Sequence, residues 1–212
     1  MPVIYLSYFL DHQTPAYGGE QGLIQFEKMR SITKGDSSNN LKLELPNHIG
    51  THIDFPRHFS NEGKSCSDYP ASFWSFEKVG FIQCSVDQIE QALQEIPDDI
   101  ELLILKTGFG AKRKEKEYWS AQPIIKSSVA DMLRKKFKDL RVFGFDMISL
   151  TSKLDRAEGK LAHECFLLQN EILILEDMDL EYLHYTPRKV IIAPLLVSDA
   201  DGAPCTVICF DN

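Results

Sequence analysis

Short apolar runs alternate along this chain with segments whose apolar residues have helical spacing. The runs predict β-strands over residues 3–8, 41–45, 102–106, 142–145, 172–175, 190–193 and 206–210. Helices are predicted over 86–95 and 129–138. In each of these, apolar residues recur three or four positions apart, as Ile89 and Leu93 do. Strands interleaved with helices predict an α/β fold with a mixed sheet.

Length and composition predict one domain over residues 1–212. The 212 residues are 43% hydrophobic, so they can bury a sizeable core, and domains commonly contain about 100–200 residues. The sequence has no internal repeat, low-complexity tract or linker. Clusters of Gly, Ser, Asn, Asp and Pro predict loops at 15–19, 35–40, 60–70 and 200–204.

The charge of the chain bears on its partners and its location. The formal net charge is −8, and short basic stretches such as 112–114 and 134–136 are typical of solvated surfaces. We therefore expect a small-molecule substrate, with neither nucleic acid nor membrane as partner.

No apolar run approaches the ~18 residues of a membrane span, and the start lacks a leader pattern, so a cytoplasmic protein is expected. The five cysteines include no C-x-x-C pair and predict reduced thiols.

Histidines are concentrated in one segment. Three of the six, His48, His52 and His58, fall within eleven residues, together with Asp54. In an extended strand, side chains alternate, so His48, His52 and Asp54 would share one face, with Gly50 leaving room between the two imidazoles. A helix would turn Asp54 away from them, and the β-branched residues and Pro56 disfavour it. We therefore predict a strand that ends at Pro56.

Imidazole nitrogen and carboxylate oxygen are typical ligands of Zn²⁺, Mn²⁺ or Fe²⁺ in hydrolytic sites. His58, beyond the turn at Pro56, is the candidate general acid and base, because an imidazole exchanges protons at neutral pH. The alternative is that these histidines are polar residues of a half-buried strand, satisfied by backbone carbonyls. The joint placement of three histidines and one aspartate favours a catalytic metal site.

One strand cannot enclose a metal ion, so further ligands must come from elsewhere. Glu176 follows the apolar run 172–175, where a carboxylate is either solvated at the rim of the sheet or paired with a cation. His163 begins a stretch with helical spacing through Gln169 and, taken alone, is interpreted as a surface or capping histidine. Asp146 and Asp201 are interpreted first as turn residues and only second as members of the site. The remaining histidines, His12 and His184, are interpreted as structural.

The segment from His48 to His58 resembles the H-x-G-T-H-x-D-x-P-x-H signature of the cyclase-like family of metal-dependent hydrolases, which includes bacterial kynurenine formamidase. The resemblance extends over most of the chain. Further matching segments are 5–7, 14–17, 103–108, 145–149, 162–163, 174–176, 194–195 and 201–204. It implies a cyclase-like swivelling β/β/α fold with a mixed sheet, a homodimer or homotetramer, and one or two divalent metal ions, Zn²⁺ or Mn²⁺.

The resemblance also implies roles for individual residues. Carried over by position, the metal ligands are His48, His52, Asp54, His163 and Glu176, the proton carrier is His58, and Tyr17 contacts the substrate. One departure concerns the substrate, because Cys205 and Thr206 follow Pro204 where the family has an arginine.

Three hypotheses for the function follow. The first is hydrolysis of an aryl formamide such as N-formylkynurenine to the amine and formate. The second keeps the site and changes the bond to a cyclic amide of the isatin type or a lactone. The third is a non-catalytic metal-binding or ligand-binding protein with the same fold. An intact His58 argues against the third, because a structural metal site has no need of a proton carrier beside it.

Overall fold

The computed structural model describes residues 3–211, whose strands form one large mixed sheet and a separate hairpin. The strands are β1 (Val3–Tyr5), β2 (Gln25–Arg30), β3 (Asn40–Glu44), β4 (His52–Asp54), β5 (Ser75–Phe76), β6 (Val79–Gln83), β7 (Leu102–Lys106), β8 (Val142–Phe145), β9 (Leu173–Glu176), β10 (Lys189–Pro194) and β11 (Gly202–Phe210). The α-helices are α1 (Ile89–Ala92), α2 (Glu117–Ser120), α3 (Ser128–Lys136) and α4 (Arg156–Glu164). The predicted α/β fold with a mixed sheet is confirmed.

One half of the large sheet is parallel. Its strands lie in the order β9, β8, β7, β6, each parallel to its neighbour. Every residue of β7 and β8 is buried. Strands covered on both faces need continuous apolar sequence, so the predicted runs at 102–106 and 142–145 match β7 and β8 to the residue.

The other half of the sheet is antiparallel and begins at β4. This strand pairs with β9 on one side and with the start of β11 on the other. The far end of β11 pairs with β1, and β10 and β5 complete the order. Within β4, His52 lies opposite Glu176 of β9 and Pro204 of β11. The junction of the two halves thus brings together three distant segments of the chain.

The predicted strand through His48 is only partly correct. The strand is confined to His52–Asp54, because Gly50 has a left-handed backbone with φ of 60° that interrupts the extended conformation. The prediction that Pro56 ends the strand is confirmed, since Pro56–His58 forms a 3₁₀ turn. The predicted helix over 86–95 is α-helical only in α1, with 3₁₀ turns on both sides.

A large apolar core includes residues of the nine-stranded sheet and of helices α1, α3 and α4, and no residue of β2 or β3 belongs to it. Between residues 25 and 44, Ser31 is the one buried residue of the hairpin. Among the helices of residues 3–211, none combines the length and the apolar character of a membrane span.

Candidate metal centre and active site

Strands β4 and β9 place two carboxylates and one imidazole next to each other. His52 and Asp54 point to the same side of β4 because strand side chains alternate, and Glu176 lies directly opposite His52. The His52 Nε2 atom is 3.4 Å from Asp54 Oδ1 and 3.4 Å from Glu176 Oε2. Both carboxylates are buried, with 1% of Asp54 and 2% of Glu176 exposed.

Helix α4 brings His163 to the same two carboxylates. Its Nε2 atom is 3.5 Å from Asp54 Oδ2 and 3.6 Å from Glu176 Oε1. The expectation that His163 begins a helix is wrong, because it lies in the last turn of α4, although a π-helix does continue through Gln169 as predicted. The interpretation of His163 as a surface histidine is also wrong, because only 3% of the residue is exposed. Asp155 precedes the first residue of α4 and caps this helix, because its side chain accepts a hydrogen bond from the Glu158 N–H.

His48 reaches the cluster from the turn before β4. Its Nδ1 atom is 2.8 Å from Asp54 Oδ1 and its Nε2 atom is 3.1 Å from Asp201 Oδ2. The expected role of Gly50 as a spacer between imidazoles is wrong. A Cβ at position 50 would instead lie 2.4 Å from Leu10 Cδ2, so the glycine is needed for its backbone conformation and for close packing.

His58 stands at the open side of the cluster. It ends the 3₁₀ turn after β4, and its ring centre is 4.0 Å from that of His48. Its Nδ1 atom is 3.0 Å from Asp201 Oδ2. The side chain of His58 is 31% exposed, whereas that of His52 is 7% exposed, so His58 is open to solvent or a bound molecule.

Backbone carbonyls orient the two buried imidazoles. His52 Nδ1 lies 2.9 Å from the Gly50 carbonyl and His163 Nδ1 lies 2.8 Å from the Gly159 carbonyl. A carbonyl only accepts, so each Nδ1 must donate its hydrogen and each Nε2 faces the carboxylates. Metal-binding histidines are commonly oriented in this way.

The two buried carboxylates create a strongly negative environment. Burial opposes a charge on His52, but contact with Asp54 and the charge of Glu176 raise its pKa to about 9. His163 is also buried, and Asp54 and Glu176 raise its pKa to about 10. Burial disfavours ionisation of Asp54 as well, yet His163, His48 and His52 hold the pKa of that carboxyl well below its usual range.

A divalent cation suits this set of donors. Two groups of ligand atoms, His48 with Asp54 and His58, and His52 with Asp54 and Glu176, each lie within 4.8 Å of one another. Both contain nitrogen and carboxylate oxygen without thiolate, the donors typical of a catalytic zinc or manganese site. Within residues 3–211, no lysine or arginine forms an ion pair with Asp54 or Glu176. A metal ion could therefore neutralise charge that only imidazoles now offset.

A cavity of about 330 Å³ opens onto the cluster. His48, His52, His58, His163 and Glu176 form its polar wall. Tyr17, which is 41% exposed, Phe59 and Ile148 contribute to its apolar wall. The Phe59 ring stacks on His163, with ring centres 4.7 Å apart. The cavity thus combines a site for polar chemistry with an apolar surface for an aromatic ring.

The family model described as "Putative cyclase" matches residues 4–152, more than half of the chain. This chain belongs to the cyclase family. The matched part contains Tyr17 and the whole segment from His48 to His58.

Two bacterial relatives named kynurenine formamidase align with most of this chain. The kynurenine formamidase of Bacillus cereus (strain ATCC 10987 / NRS 248) is 31% identical over 178 residues, 81% of this chain and 80% of the relative. The kynurenine formamidase of Bacillus anthracis is 28% identical over 193 residues, 86% of this chain and 85% of the relative. These names support the predicted hydrolase function.

Solved structures of the family confirm the fold. Isatin hydrolase A from Labrenzia aggregata, bound to benzyl benzoate, has a TM-score of 0.81 and 19% identity, covering 98% of this chain and 93% of that one. A protein described as a "Potential Metal-Dependent Hydrolase With Cyclase Activity" has a TM-score of 0.75 and 21% identity, covering 100% and 98%. The predicted cyclase-like fold is therefore correct.

The structure brings together all the residues that the sequence proposed for the site. His48, His52, His58, Asp54, His163 and Glu176 form one cluster, and Tyr17 lines the cavity beside it. Their individual roles stay predictions. The interpretation of Asp201 primarily as a turn residue is incomplete, because its carboxylate contacts both His48 and His58.

The other acidic and histidine candidates lie outside this cluster. The Asp146 carboxylate accepts hydrogen bonds from Thr107 and Gly108, and so holds the loop after β7. His12 Nδ1 contacts the Ile24 carbonyl, and His184 is exposed. All five cysteines are free, as predicted.

Replacing Gly202 with alanine is expected to disturb the metal site. A Cβ at this position would lie 2.3 Å from His48 Cε1, so the imidazole would have to move. We expect Gly202→Ala to weaken zinc binding by about tenfold or more, the scale reported when a ligand is misplaced. Competition with a chromophoric chelator measures this affinity.

Gly80→Ala is a matched control for that substitution. A Cβ there would lie 2.8 Å from Ile100 Cδ1 in the core, away from the cluster. The control should lower the melting temperature and keep the zinc affinity. Equal zinc affinities in wild type, Gly202→Ala and Gly80→Ala would show that zinc binding does not depend on the space that Gly202 leaves for the His48 ring.

Proposed function

We propose that this chain is a metal-dependent amidohydrolase that cleaves an aryl formamide, such as N-formylkynurenine, to the aromatic amine and formate. The observation that carries the proposal is the convergence of three imidazoles on two buried carboxylates, with His58 beside them at the mouth of a cavity. The relatives named kynurenine formamidase support the choice of substrate.

The proposed ligands are His48, His52, Asp54, His163 and Glu176. Asp54 is central, because its two oxygens face different imidazoles, Oδ1 toward His48 and His52 and Oδ2 toward His163. Asp54 would therefore be a ligand whether the site holds one metal ion or two. When bound, a divalent cation supplies Lewis-acid polarisation of the amide oxygen and lowers the pKa of a water molecule.

Proton transfer is assigned to His58. With Nδ1 directed at Asp201, its Nε2 atom is free to take a proton from the attacking water and return it to the leaving nitrogen. The apolar wall formed by Tyr17, Phe59 and Ile148 would hold the aromatic ring of the substrate. Ser149 and Thr151 also line the cavity and offer hydroxyl groups to the polar part of the substrate.

A cyclic amide or lactone is the second candidate substrate. The similarity to isatin hydrolase at 19% identity concerns the fold, whereas the formamidase relatives match in sequence over most of the chain. The formamide is therefore favoured. The test is a comparison of kcat/KM for N-formylkynurenine, isatin and an aromatic lactone on one preparation of the zinc-loaded protein. The highest value for the formamide supports the proposal, and a higher value for isatin or the lactone assigns the second substrate class.

We propose that the predicted homo-oligomer forms through the hairpin of β2 and β3, with a second copy of this chain as partner. An isolated two-stranded hairpin is at best marginally stable in water. This one also exposes large apolar side chains, among them Met29, Ile32, Leu41 and Leu43. A partner that covers them would stabilise the hairpin and remove the apolar patch from water.

Light scattering after size-exclusion chromatography tests this interface. We expect wild type to be a dimer or tetramer, and the double variant Leu41→Ser, Leu43→Ser to dissociate. Lys42→Ser, on the opposite face of β3, should leave the oligomer intact. A monomeric wild type, or a double variant that stays oligomeric, would contradict the proposed interface.

A further inference from the structure

Asp201 occupies a fixed position between two strands. It directly precedes β11, and its carbonyl accepts a hydrogen bond from the Phe55 N–H at 2.9 Å. The next residue, Gly202, pairs with Asp54 of β4. On the side chain, Asn47 Nδ2 donates to Oδ1. Backbone pairing and the Asn47 amide therefore orient the second carboxylate oxygen, Oδ2.

That second oxygen is directed at the proton carrier. Asp201 Oδ2 lies 3.0 Å from His58 Nδ1. A carboxylate accepts hydrogen bonds, so His58 Nδ1 must carry the hydrogen and Nε2 keeps its lone pair when the ring is neutral. A general base needs this tautomer, in which the nitrogen that faces the substrate is unprotonated.

We propose that Asp201 is a positioning residue that holds His58 in the tautomer with a free Nε2 atom, an inference that rests on the proposed hydrolytic function. Its role is comparable to that of the aspartate behind the histidine in a Ser-His-Asp triad, which sets the tautomer without touching the substrate. Asp201 is absent from the two groups of converging metal donors.

The same oxygen also contacts His48. The distance from Asp201 Oδ2 to His48 Nε2 is 3.1 Å, so Asp201 could instead act by holding a metal ligand. The two possibilities differ in what a substitution changes. Loss of a tautomer-setting contact lowers turnover through His58 and leaves the metal bound, whereas loss of a ligand-positioning contact lowers metal content whether or not His58 is present.

A double-mutant cycle separates these roles. Asp201→Asn keeps the shape of the side chain but allows its amide to donate to His58 Nδ1, which moves the ring hydrogen to Nε2. We expect this variant to lose about 100-fold or more in kcat on N-formylkynurenine, with little change in KM and in zinc content. In the His58→Ala background, the same substitution should change kcat by no more than about twofold, since no tautomer remains to be set.

Asp199→Asn is the matched control. It removes the same charge two residues away, and it keeps a residue type that tolerates the left-handed backbone at φ of 57°. This control should behave as wild type. Equal losses from Asp201→Asn with and without His58, or a loss of zinc in Asp201→Asn, would overturn the proposal.

A spectroscopic readout makes the test independent of the substrate. In ¹⁵N spectra of the zinc-loaded protein at a pH where the ring is neutral, the His58 signals are those missing from His58→Ala. We expect hydrogen on Nδ1 in wild type and on Nε2 in Asp201→Asn. The same tautomer in both proteins would overturn the proposal. If wild type fails to hydrolyse the formamide yet shows the expected switch, the proposed function fails and the positioning role of Asp201 stands.

Discussion

Replacing His58 with alanine is expected to lower kcat on N-formylkynurenine by about 10²–10⁴-fold, the contribution typical of a general acid and base. The zinc or manganese content should stay at the wild-type value, because the proposed ligands are other side chains. The loss of turnover is expected because His58 is partly exposed at the cavity, where it can reach a substrate, and its Nδ1 atom is directed at Asp201. Steady-state kinetics and elemental analysis of one preparation measure both quantities.

His184→Ala is the control that shows whether the loss of any histidine, and not of His58 in particular, changes activity. His184 is exposed and lies outside the cluster, so its removal should change neither turnover nor metal content. If His58→Ala loses metal together with activity, His58 is a ligand, as its membership of a group with His48 and Asp54 allows. Unchanged activity would remove His58 from the mechanism.

Replacing Glu176 with glutamine is expected to have the second large effect, on the metal itself. Glu176 is buried, accepts a hydrogen bond from the Leu150 N–H, and faces both His52 and His163. The amide preserves the shape of the side chain but removes a charged oxygen ligand. We expect zinc affinity to fall by at least about 100-fold, because substitutions of mere supporting residues already cost about 10–100-fold.

Asp146→Asn is the control for removal of a buried carboxylate. Asp146 accepts hydrogen bonds from the loop after β7 and contacts none of the proposed ligands. Its substitution should lower the melting temperature and keep the zinc affinity, the reverse of the Glu176→Gln pattern. Competitive zinc titrations and thermal unfolding distinguish the two. Wild-type zinc affinity in Glu176→Gln would exclude Glu176 as a ligand.

Local pattern predicted the parts of the fold whose environment is uniform. Strands β7 and β8 are buried along their length, so their apolar runs coincide with the observed bounds. Strand β2 was not predicted, because apolar and polar residues alternate only weakly along its sequence. Exposure alone does not hide a strand, because β3 is exposed along its length and was still predicted from the alternation of Leu41, Leu43 and Leu45 with charged and polar residues.

The sequence predicted which residues form the candidate site more accurately than it predicted the backbone conformation that places them. Alternation along β4 correctly placed His52 and Asp54 on one side. His48 was predicted on the same strand, whereas a left-handed glycine brings it in from a turn. The sequence did not reveal the left-handed conformation of Gly50, because a glycine fits an extended strand that leaves room for neighbouring side chains as well as it fits a turn.

Long-range pairing explains the contacts that the sequence left open. Asp201 is 143 positions from His58, and only the pairing of β4 with β11 makes them neighbours. Helix α4 did leave a local signal, an Asp155 cap followed three residues later by Glu158, which would have placed His163 near the end of the helix. Its approach to the carboxylates depends on tertiary packing.

Metal dependence of hydrolysis is the central claim, and protein purified without a histidine tag tests it most directly. Elemental analysis is combined with formate release from N-formylkynurenine before chelation, after chelation and after the metal is restored. We predict roughly one to two equivalents of zinc or manganese, activity that is lost with the metal, and recovery when either ion is added back. Full activity in protein freed of metal, or failure to bind metal under any reconstitution, would contradict the account.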